Sequence, residues 1–120
     1  MYEIVKFHKK YYTPIHDGYK TQTMRTARKR LDVQDGDIIK AVFPGIESAL
    51  LLRVTSVTYK QFKSINLDDA INEGLQSVDE LKNELLKIYP NVNKWDRFYL
   101  YKFYLKGKEH KDGKYEWYTL

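Results

Sequence analysis

The sequence predicts an α+β domain, built around a small barrel-like sheet with a helical insert. Strand-like segments rich in alternating apolar residues dominate both ends of the chain. Two helical patterns occur together between residues 66 and 89, and they do not alternate with strands as in a doubly wound fold. At 120 residues, close to the commonest domain size, residues 1–120 are expected to form a single domain.

The first half of the chain contains four predicted strands and one short helix. The predicted strands span residues 2–7, 21–26, 37–43 and 49–59, and the short helix or turn lies within residues 8–16. Pro14 limits the length of that helix, and Asp17-Gly18 ends it. Asp35-Gly36 predicts a turn before the third strand.

The second half contains the helical insert and the last strands. Asn66 is the expected N-cap of a short helix that stops at Gly74. Ser77 and Glu80 fit a capping box that opens a second helix, which Pro90 ends. The predicted core-facing stripe of this helix comprises Leu81, Leu85 and Ile88. The final strands are predicted at residues 95–105 and 115–120, joined by a turn at 111–114.

Composition limits the class of protein. Hydrophobic residues make up 42% of the chain, which is enough to build a core. The chain has no cysteine, which excludes disulfides and thiolate chemistry. No apolar run approaches the roughly 20 residues of a membrane helix, and the N-terminal residues lack an apolar signal core. We therefore expect a soluble, cytoplasmic protein without a membrane partner, and we favour a monomer.

The positive charge is concentrated in the first half. Residues 1–60 contain 11 Lys and Arg against 6 Asp and Glu, whereas residues 61–120 contain 10 of each. The densest basic cluster, which is the predicted nucleic-acid contact, comprises Arg25, Arg28, Lys29 and Arg30. This asymmetry indicates a polyanionic partner such as RNA, because phosphate contacts dominate nucleic-acid affinity. A solvated, mildly basic surface is the alternative explanation.

The most informative segment is Gly18-Tyr19-Lys20-Thr21-Gln22-Thr23-Met24-Arg25. Side chains alternate along a strand, so Thr21, Thr23 and Arg25 are expected on one face, with Lys20 at the start of the strand. An ammonium, a hydroxyl and a guanidinium group therefore lie within about 20 Å of extended chain. This arrangement predicts a site for an anion or a carbonyl group.

The same segment resembles a known family. The pattern Gly18-x-Lys20-x-x-Thr23-x-Arg25 matches the Gly-x-Lys-x-x-Thr-x-Arg signature of ASCH (activating signal cointegrator homology) domains, which belong to the PUA-like superfamily. The order of features is similar to that family over most of residues 4–105. The resemblance implies a PUA-like small β-barrel with a helical insert. It does not account for the terminal hairpin at residues 106–120.

The resemblance also implies a function and a set of site residues. ASCH domains look like modules that bind RNA or a nucleoside or nucleotide in a cleft beside the barrel. The implied ligand-binding residues here are Gly18, Lys20, Thr23 and Arg25. One bacterial branch consists of acetylcytidine amidohydrolases, and for that activity the implied catalytic residues are Lys20, Thr23 and Glu73. No metal or other cofactor is expected, because the three histidines are widely spaced.

The chemistry leaves more than one function open. Amide hydrolysis needs a neutral Lys20 to activate Thr23, and Arg25 is a neighbouring cation that favours the neutral form. An ionised Glu73, in contrast, favours a charged Lys20. Ligand binding is therefore the leading hypothesis and amide hydrolysis the second, followed by RNA cleavage and a role as a protein adaptor. A bland explanation also stands, in which Lys20 and Arg25 are merely solvated strand residues.

The aromatic residues near the C-terminus have two explanations. Exposed rings stack on unpaired bases, whereas rings on alternating strand positions more often pack in the core. We favour packing. The residues concerned are Tyr99, Tyr101, Tyr104, Tyr115, Trp117 and Tyr118.

Overall fold

The structure, a computed structural model, describes residues 2–119 and confirms the predicted α+β class. Its strands are β1 (Glu3–Lys6), β2 (Gln22–Thr26), β3 (Ile38–Phe43), β4 (Ile46–Gln61), β5 (Arg97–Glu109) and β6 (Tyr115–Trp117). Its α-helices are α1 (Tyr12–His16), α2 (Leu67–Asn72) and α3 (Val78–Ile88). The predicted last strand is shorter than expected, and Leu120, which was included in it, lies outside the described residues. None of the helices in this part of the chain is long and apolar enough to span a membrane.

All six strands form one sheet in the order β1-β3-β4-β5-β2, with β6 paired to β5. The β1–β3 pair is parallel and the other pairs are antiparallel. The long β4 and β5 strands form the centre of this sheet, and β4 extends beyond the predicted residues 49–59 at both ends. Bulges interrupt their register, one of them between Val54 and Ser56. A bulge bends and twists a strand, so the sheet curves and brings its two edges toward each other.

The sheet is not closed into the small β-barrel that the resemblance implies. A barrel requires hydrogen bonding between the first and last strands of the sheet, but β1 and β2 remain its two edges. The segment that joins them in sequence lies between them: Phe7 N donates to the Val42 carbonyl beside β1, and Lys20 N donates to the Pro14 carbonyl beside β2. Across the opening, the Arg25 guanidinium lies 5.2 Å from the centre of the Phe7 ring. Side chains thus occupy the space that barrel hydrogen bonds would need.

Two apolar cores lie on opposite faces of the curved sheet. The first, inside the curve, includes Val5, Phe7, Ile39, Leu50, Leu52, Val54 and Phe103. The second lies between the sheet and the helices and includes Met24, Ile65, Ala70, Leu81, Leu85, Phe98 and Leu100. Two members of the predicted helical stripe are therefore buried, but the third, Ile88, is 54% exposed. It lies at the end of α3, beyond the second core.

The helix caps follow the sequence with one difference. At α2, the Asn66 side chain accepts from Asp69 N, and the Asp69 carboxylate accepts from Asn66 N, which completes a capping box. At α3, the Ser77 hydroxyl accepts from Glu80 N at 3.1 Å, but no return bond from the Glu80 side chain occurs among residues 2–119. The capping box predicted at Ser77 is therefore only half formed. Such caps are each worth about 0.5–2 kcal/mol.

Candidate functional site

The turn from α1 into β2 places Lys20. Gly18 adopts φ +83°, a left-handed conformation that other residues rarely adopt, and so lets the chain reverse. The amides of Tyr19 and Lys20 both donate to the Pro14 carbonyl, at 2.9 and 3.0 Å. Lys20 is thus held at the start of β2 with its side chain only 5% exposed. The prediction that this cation is solvated is excluded by its burial.

Lys20 forms a buried ion pair with Glu73. Its Nζ lies 2.7 Å from Glu73 Oε1 and donates a second hydrogen bond to the Gln22 carbonyl at 2.8 Å. Glu73 caps the C-terminus of α2, and its side chain is 8% exposed. Thr21 N donates to the Asn72 carbonyl at 2.7 Å, which ties the start of β2 to the end of α2. This backbone bond brings together two residues that are 53 positions apart in the sequence.

Gly74 permits this junction. It has φ +83°, and a Cβ atom built on it would lie 3.4 Å from the Tyr19 carbonyl oxygen and 3.5 Å from Lys20 Cβ. A side chain here would therefore combine an unfavourable backbone conformation with contact against the turn that holds Lys20. The predicted end of α2 at Gly74 is confirmed, and the glycine also makes room for the ion pair.

Two opposing effects determine the charge of Glu73. Burial raises the pKa of its carboxyl group, while the charge and hydrogen bond of Lys20 and the side-chain amide of Gln22 lower it. Burial is the largest of these effects, so the pKa of Glu73 lies above its usual value. Within residues 2–119, Glu73 Oε2 has no hydrogen-bond partner, nor do the two polar atoms of the buried Gln22 side chain. Glu73 therefore has one buried acceptor atom without a partner in the described chain.

Thr23 and Arg25 follow on β2. Thr23 is 6% exposed, and its hydroxyl group takes part in none of the hydrogen bonds among residues 2–119. Arg25 is half-buried, and desolvation lowers its pKa. No carboxylate of the described chain lies within 4.0 Å of its guanidinium. A partly desolvated cation without a counter-charge is a favourable place for an anionic group of a ligand.

These residues line one pocket of about 520 Å³ in the opening between β1 and β2. The walls are the end of β1, the turn before α1, β2, the end of α2, and α3. Lys20, Thr23, Arg25 and Glu73 all contribute to the lining. The volume lies within the range of about 300–1,000 Å³ that is usual for small-molecule sites. The four residues predicted from widely separated parts of the sequence are thus together.

Glu84 on α3 closes one side of the pocket. Its Oε2 accepts from Lys10 Nζ at 3.1 Å and from the Tyr11 hydroxyl at 3.2 Å. The Tyr11 ring in turn lies with its centre 5.0 Å from Lys20 Nζ. The Lys10 side chain is 50% exposed and the Glu84 side chain is 25% exposed, so their contact lies near the mouth of the pocket. It connects α3 to the chain between the two edge strands.

Sequence reasoning missed Tyr11, Gln22 and Glu84. Tyr11 and Glu84 lie in segments that were read only for helix periodicity, and their meeting depends on the fold. Gln22 could have been identified from the sequence, because it is a long polar residue in a predicted strand between Lys20 and Thr23. Its complete burial makes it part of the surroundings of Glu73.

The other predicted residues lie outside the pocket lining. Gly18 shapes the turn but does not face the cavity. Arg28 and Lys29 are exposed in a 3-10 turn that follows β2, consistent with a solvated basic surface. Arg30 lies over the Tyr99 ring, with 5.4 Å between its guanidinium and the ring centre. The basic cluster is therefore split, and of its four members Arg25 alone lines the pocket.

No protein-family model and no curated protein matches the sequence. Solved structures do match. An ASCH domain from Lactobacillus crispatus superposes with a TM-score of 0.68 at 16% identity, covering 77% of this chain and 67% of that one. A protein from Enterococcus faecalis superposes with a TM-score of 0.62 at 17% identity, covering 78% of this chain and 64% of that one. A mutant ZmASCH protein from Zymomonas mobilis superposes with a TM-score of 0.60 at 8% identity, covering 97% of this chain and 87% of that one.

These similarities concern the fold. The chain has the fold of ASCH domains, which confirms the predicted resemblance at that level, and its sheet is open. The chain spans less than two thirds of the Enterococcus protein.

Proposed function

We propose that the pocket between the two edge strands binds a nucleoside or nucleotide. The observation that carries this proposal is the combination, in one cavity, of the buried Lys20–Glu73 pair and Arg25, which has no carboxylate partner among residues 2–119. The first is suited to the polar edge of a base and the second to a phosphate group. The resemblance to ASCH domains supports the same class of ligand, because three residues of the signature, Lys20, Thr23 and Arg25, line this cavity.

Recognition of the base rests on a donor and an acceptor that lie side by side. Because Glu73 and Lys20 both line the cavity, the Glu73 carboxylate is assigned to accept from an exocyclic amino group and Lys20 Nζ to donate to a ring carbonyl. Cytosine presents such a donor and acceptor on its pairing edge, and carboxylates accept readily from its amino group. The Tyr11 and Phe7 rings on the pocket wall supply surfaces for stacking.

The test is calorimetric titration with cytidine and cytidine monophosphate. We expect the monophosphate to bind more tightly than the nucleoside, and Arg25→Gln to remove about tenfold of that preference, as a charge-assisted contact is worth roughly 1.5–3 kcal/mol. Arg28→Gln is the matched control, because Arg28 is exposed and outside the lining. If Arg25→Gln binds cytidine and cytidine monophosphate with the same affinities as the wild type, Arg25 does not contact the phosphate.

A second candidate is hydrolysis of an acylated base amide such as acetylcytidine. The observation that favours it is the burial of Lys20, Glu73 and Thr23 in one cavity, with the Thr23 hydroxyl unbonded in the described chain. Because burial raises the pKa of Glu73, its carboxylate is a better acceptor for the Lys20 proton than a solvated one. Transfer of that proton leaves a neutral amine in the same cavity as the hydroxyl.

The reaction then follows acyl-transfer chemistry. Lys20 accepts the Thr23 proton while the hydroxyl oxygen attacks the acyl carbon, and Arg25 is available to stabilise the oxyanion. The carbon–nitrogen bond breaks, and the amine nitrogen takes a proton from Lys20. Water hydrolyses the acyl-threonine ester and releases the carboxylic acid. Each step uses residues that line the pocket.

Turnover of acetylcytidine, followed by chromatography of cytidine, tests this candidate. Release by the wild type, loss in Thr23→Ala and Lys20→Ala, and partial retention in Thr23→Ser would support it. No release at high enzyme concentration would exclude it while leaving nucleotide binding intact. Thr26→Ala is the control variant, since Thr26 lies on the same strand outside the pocket lining.

A further inference from the structure

At the Arg97–Tyr101 end of β5, one face of the sheet extends beyond the first core, and no helix of the described chain covers it. On β5, Phe103 belongs to the first core, and the same face continues through Tyr101 to Tyr99 and Arg97. On the opposite face, Phe98 and Leu100 pack beneath α2 and α3. The loop after β2 covers Tyr101, whose hydroxyl accepts from Leu31 N at 2.9 Å. Beyond that point, this end of the sheet is open.

Aromatic rings from adjacent strands lie on the open face. Tyr59 of β4 is the direct register partner of Tyr99 of β5, and their ring centres are 6.1 Å apart. Tyr59 is 59% exposed, and Tyr99 is partly exposed. Tyrosine rings left on a sheet surface present flat apolar area to solvent. The two rings form the centre of what we call the open face, defined by Tyr59, Tyr99, Arg97 and Arg30.

Two arginines accompany these rings. The Arg97 guanidinium lies 4.2 Å from the centre of the Tyr59 ring, and the Arg30 guanidinium lies 5.4 Å from that of Tyr99. Both arginines are exposed, and neither forms an ion pair with any carboxylate among residues 2–119. Both also lower the pKa of the Tyr99 phenol. The open face is therefore positively charged as well as aromatic.

The open face continues into the pocket. Arg25 is the register partner of Tyr99, and Thr23 is the partner of Tyr101, so both pocket residues lie on this side of the sheet. Direct partners in an antiparallel pair have Cβ atoms about 4.5–5.5 Å apart. Arg25, Tyr99 and Tyr59 thus lie in a line across β2, β5 and β4. The line spans about 10 Å at the usual strand spacing.

We propose that the open face is a binding site for single-stranded nucleic acid, with unpaired bases stacked on Tyr59 and Tyr99 and backbone phosphates held by Arg30 and Arg97. Exposed sheet aromatics flanked by unpaired arginines match what such a ligand requires: stacking surfaces for bases and cations for phosphates. An acidic protein would use the arginines without needing paired rings. The proposal does not depend on nucleotide binding in the pocket, although the line through Arg25 lets one strand occupy both.

The test is fluorescence anisotropy with a labelled ten-nucleotide oligouridine RNA, in parallel with oligothymidine DNA and an RNA duplex of equal length. We expect the single strands to bind more tightly than the duplex, and the affinity to fall steeply with salt. Tyr59→Ala is expected to weaken single-strand binding about fivefold or more, through loss of one stacked base. A difference between the RNA and DNA arms identifies which strand the face prefers.

Matched controls separate a local contact from loss of fold. Tyr115→Ala removes a comparably exposed tyrosine (46%) from the terminal hairpin, and Arg53→Ala removes an exposed arginine from another part of β4. Both are expected to bind as wild type, whereas Arg97→Ala is expected to weaken binding and reduce the salt slope. Unchanged binding by Tyr59→Ala and Arg97→Ala, or duplex binding as tight as single-strand binding, would overturn the proposal. Cytidine monophosphate affinity should remain unchanged in Tyr59→Ala, which distinguishes failure of this site from failure of the pocket.

Discussion

Lys20 Nζ lies 2.7 Å from Glu73 Oε1, and both side chains are more than nine-tenths buried. A buried ion pair is not by itself a strong source of stability, because desolvation of two charges opposes their attraction. Removing one partner, however, leaves the other charge buried and uncompensated. The pair is therefore expected to be more sensitive to single substitutions than to simultaneous replacement of both residues.

The first prediction concerns Lys20→Met. This variant should lose about 3–5 kcal/mol of unfolding free energy at pH 8, because the Glu73 carboxylate is left buried without its cation. Burial already raises the pKa of Glu73, and loss of Lys20 removes the main opposing influence. A carboxyl group whose pKa is higher in the folded state than in the unfolded state stabilises the fold most at pH values below its unfolded-state pKa. It loses that stabilisation as the pH rises through its folded-state pKa. The variant should therefore be less destabilised at pH 5 than at pH 8.

Urea denaturation at both pH values measures this effect. The double variant Lys20→Met, Glu73→Leu should recover much of the lost stability, since no charge remains buried. Lys10→Met is the comparison, because the Lys10–Glu84 pair is partly exposed and should be worth less than about 1 kcal/mol. Equal losses for Lys20→Met and Lys10→Met at pH 8 would contradict the prediction.

The second prediction separates stability from binding at Arg25. Arg25→Met should change the unfolding free energy by less than about 1 kcal/mol, because the cost of desolvating the guanidinium opposes its contact with the Phe7 ring. Nucleotide affinity should nevertheless fall. Thermal unfolding and calorimetry on the same sample measure the two quantities. A large loss of stability would indicate that Arg25 is structural.

The third prediction concerns Gln22, a fully buried side chain whose amide atoms have no partner among residues 2–119. Gln22→Met should leave the protein equally stable or stabilise it by about 1 kcal/mol, because an unsatisfied buried amide is unfavourable. Binding or turnover in the pocket should decrease, since the amide acts on the charge of Glu73. Chemical denaturation reports the first effect, and titration with cytidine monophosphate reports the second. Destabilisation by more than about 1 kcal/mol would show that the amide is satisfied.

The fourth prediction uses two glycines in the terminal hairpin. A Cβ atom on Gly107 would lie 2.5 Å from the Glu116 carbonyl oxygen, whereas one on Gly113 would meet no atom within 4 Å. Gly107→Ala should therefore displace β6 from β5. Gly113→Ala carries only the strain of its φ of +86°, about 1–2 kcal/mol. Amide exchange across Tyr115–Trp117 should increase in the first variant far more than in the second.

Local signals explain why part of this structure could be predicted. Asn66, Ser77 and Gly74 act through bonds and dihedral angles within a few residues, so their roles in starting or ending helices follow from the sequence. The strand after Gly18 follows in the same way. The ASCH signature predicts Lys20, Thr23 and Arg25, and the wider resemblance adds Glu73; the structure brings these residues to one cavity.

Long-range geometry explains what could not be predicted. Whether a curved sheet closes depends on the meeting of its two edges, and here the turn around Tyr11 occupies that place. The contact of Glu84 with Tyr11 joins residues 73 positions apart, and the helical periodicity of neither segment predicts it. The exposure of Tyr59 beside Tyr99 depends on how far the loop after β2 extends over that face, not on alternation along either strand. Ile88 fits the apolar stripe but lies beyond the core.

The pairing of β2 has a consequence for synthesis of the chain. Within the described sheet, the strand pairing of residues 22–26 is with residues 98–102, which the ribosome adds after more than 70 further positions. During that interval β1, β3 and β4 can associate, but β2 has no strand partner, and its cationic segment remains available to other molecules. The pocket is therefore completed late in translation. Binding of the proposed nucleotide should accordingly begin only once β5 has emerged, and a nascent chain arrested before residue 97 should be unable to retain it.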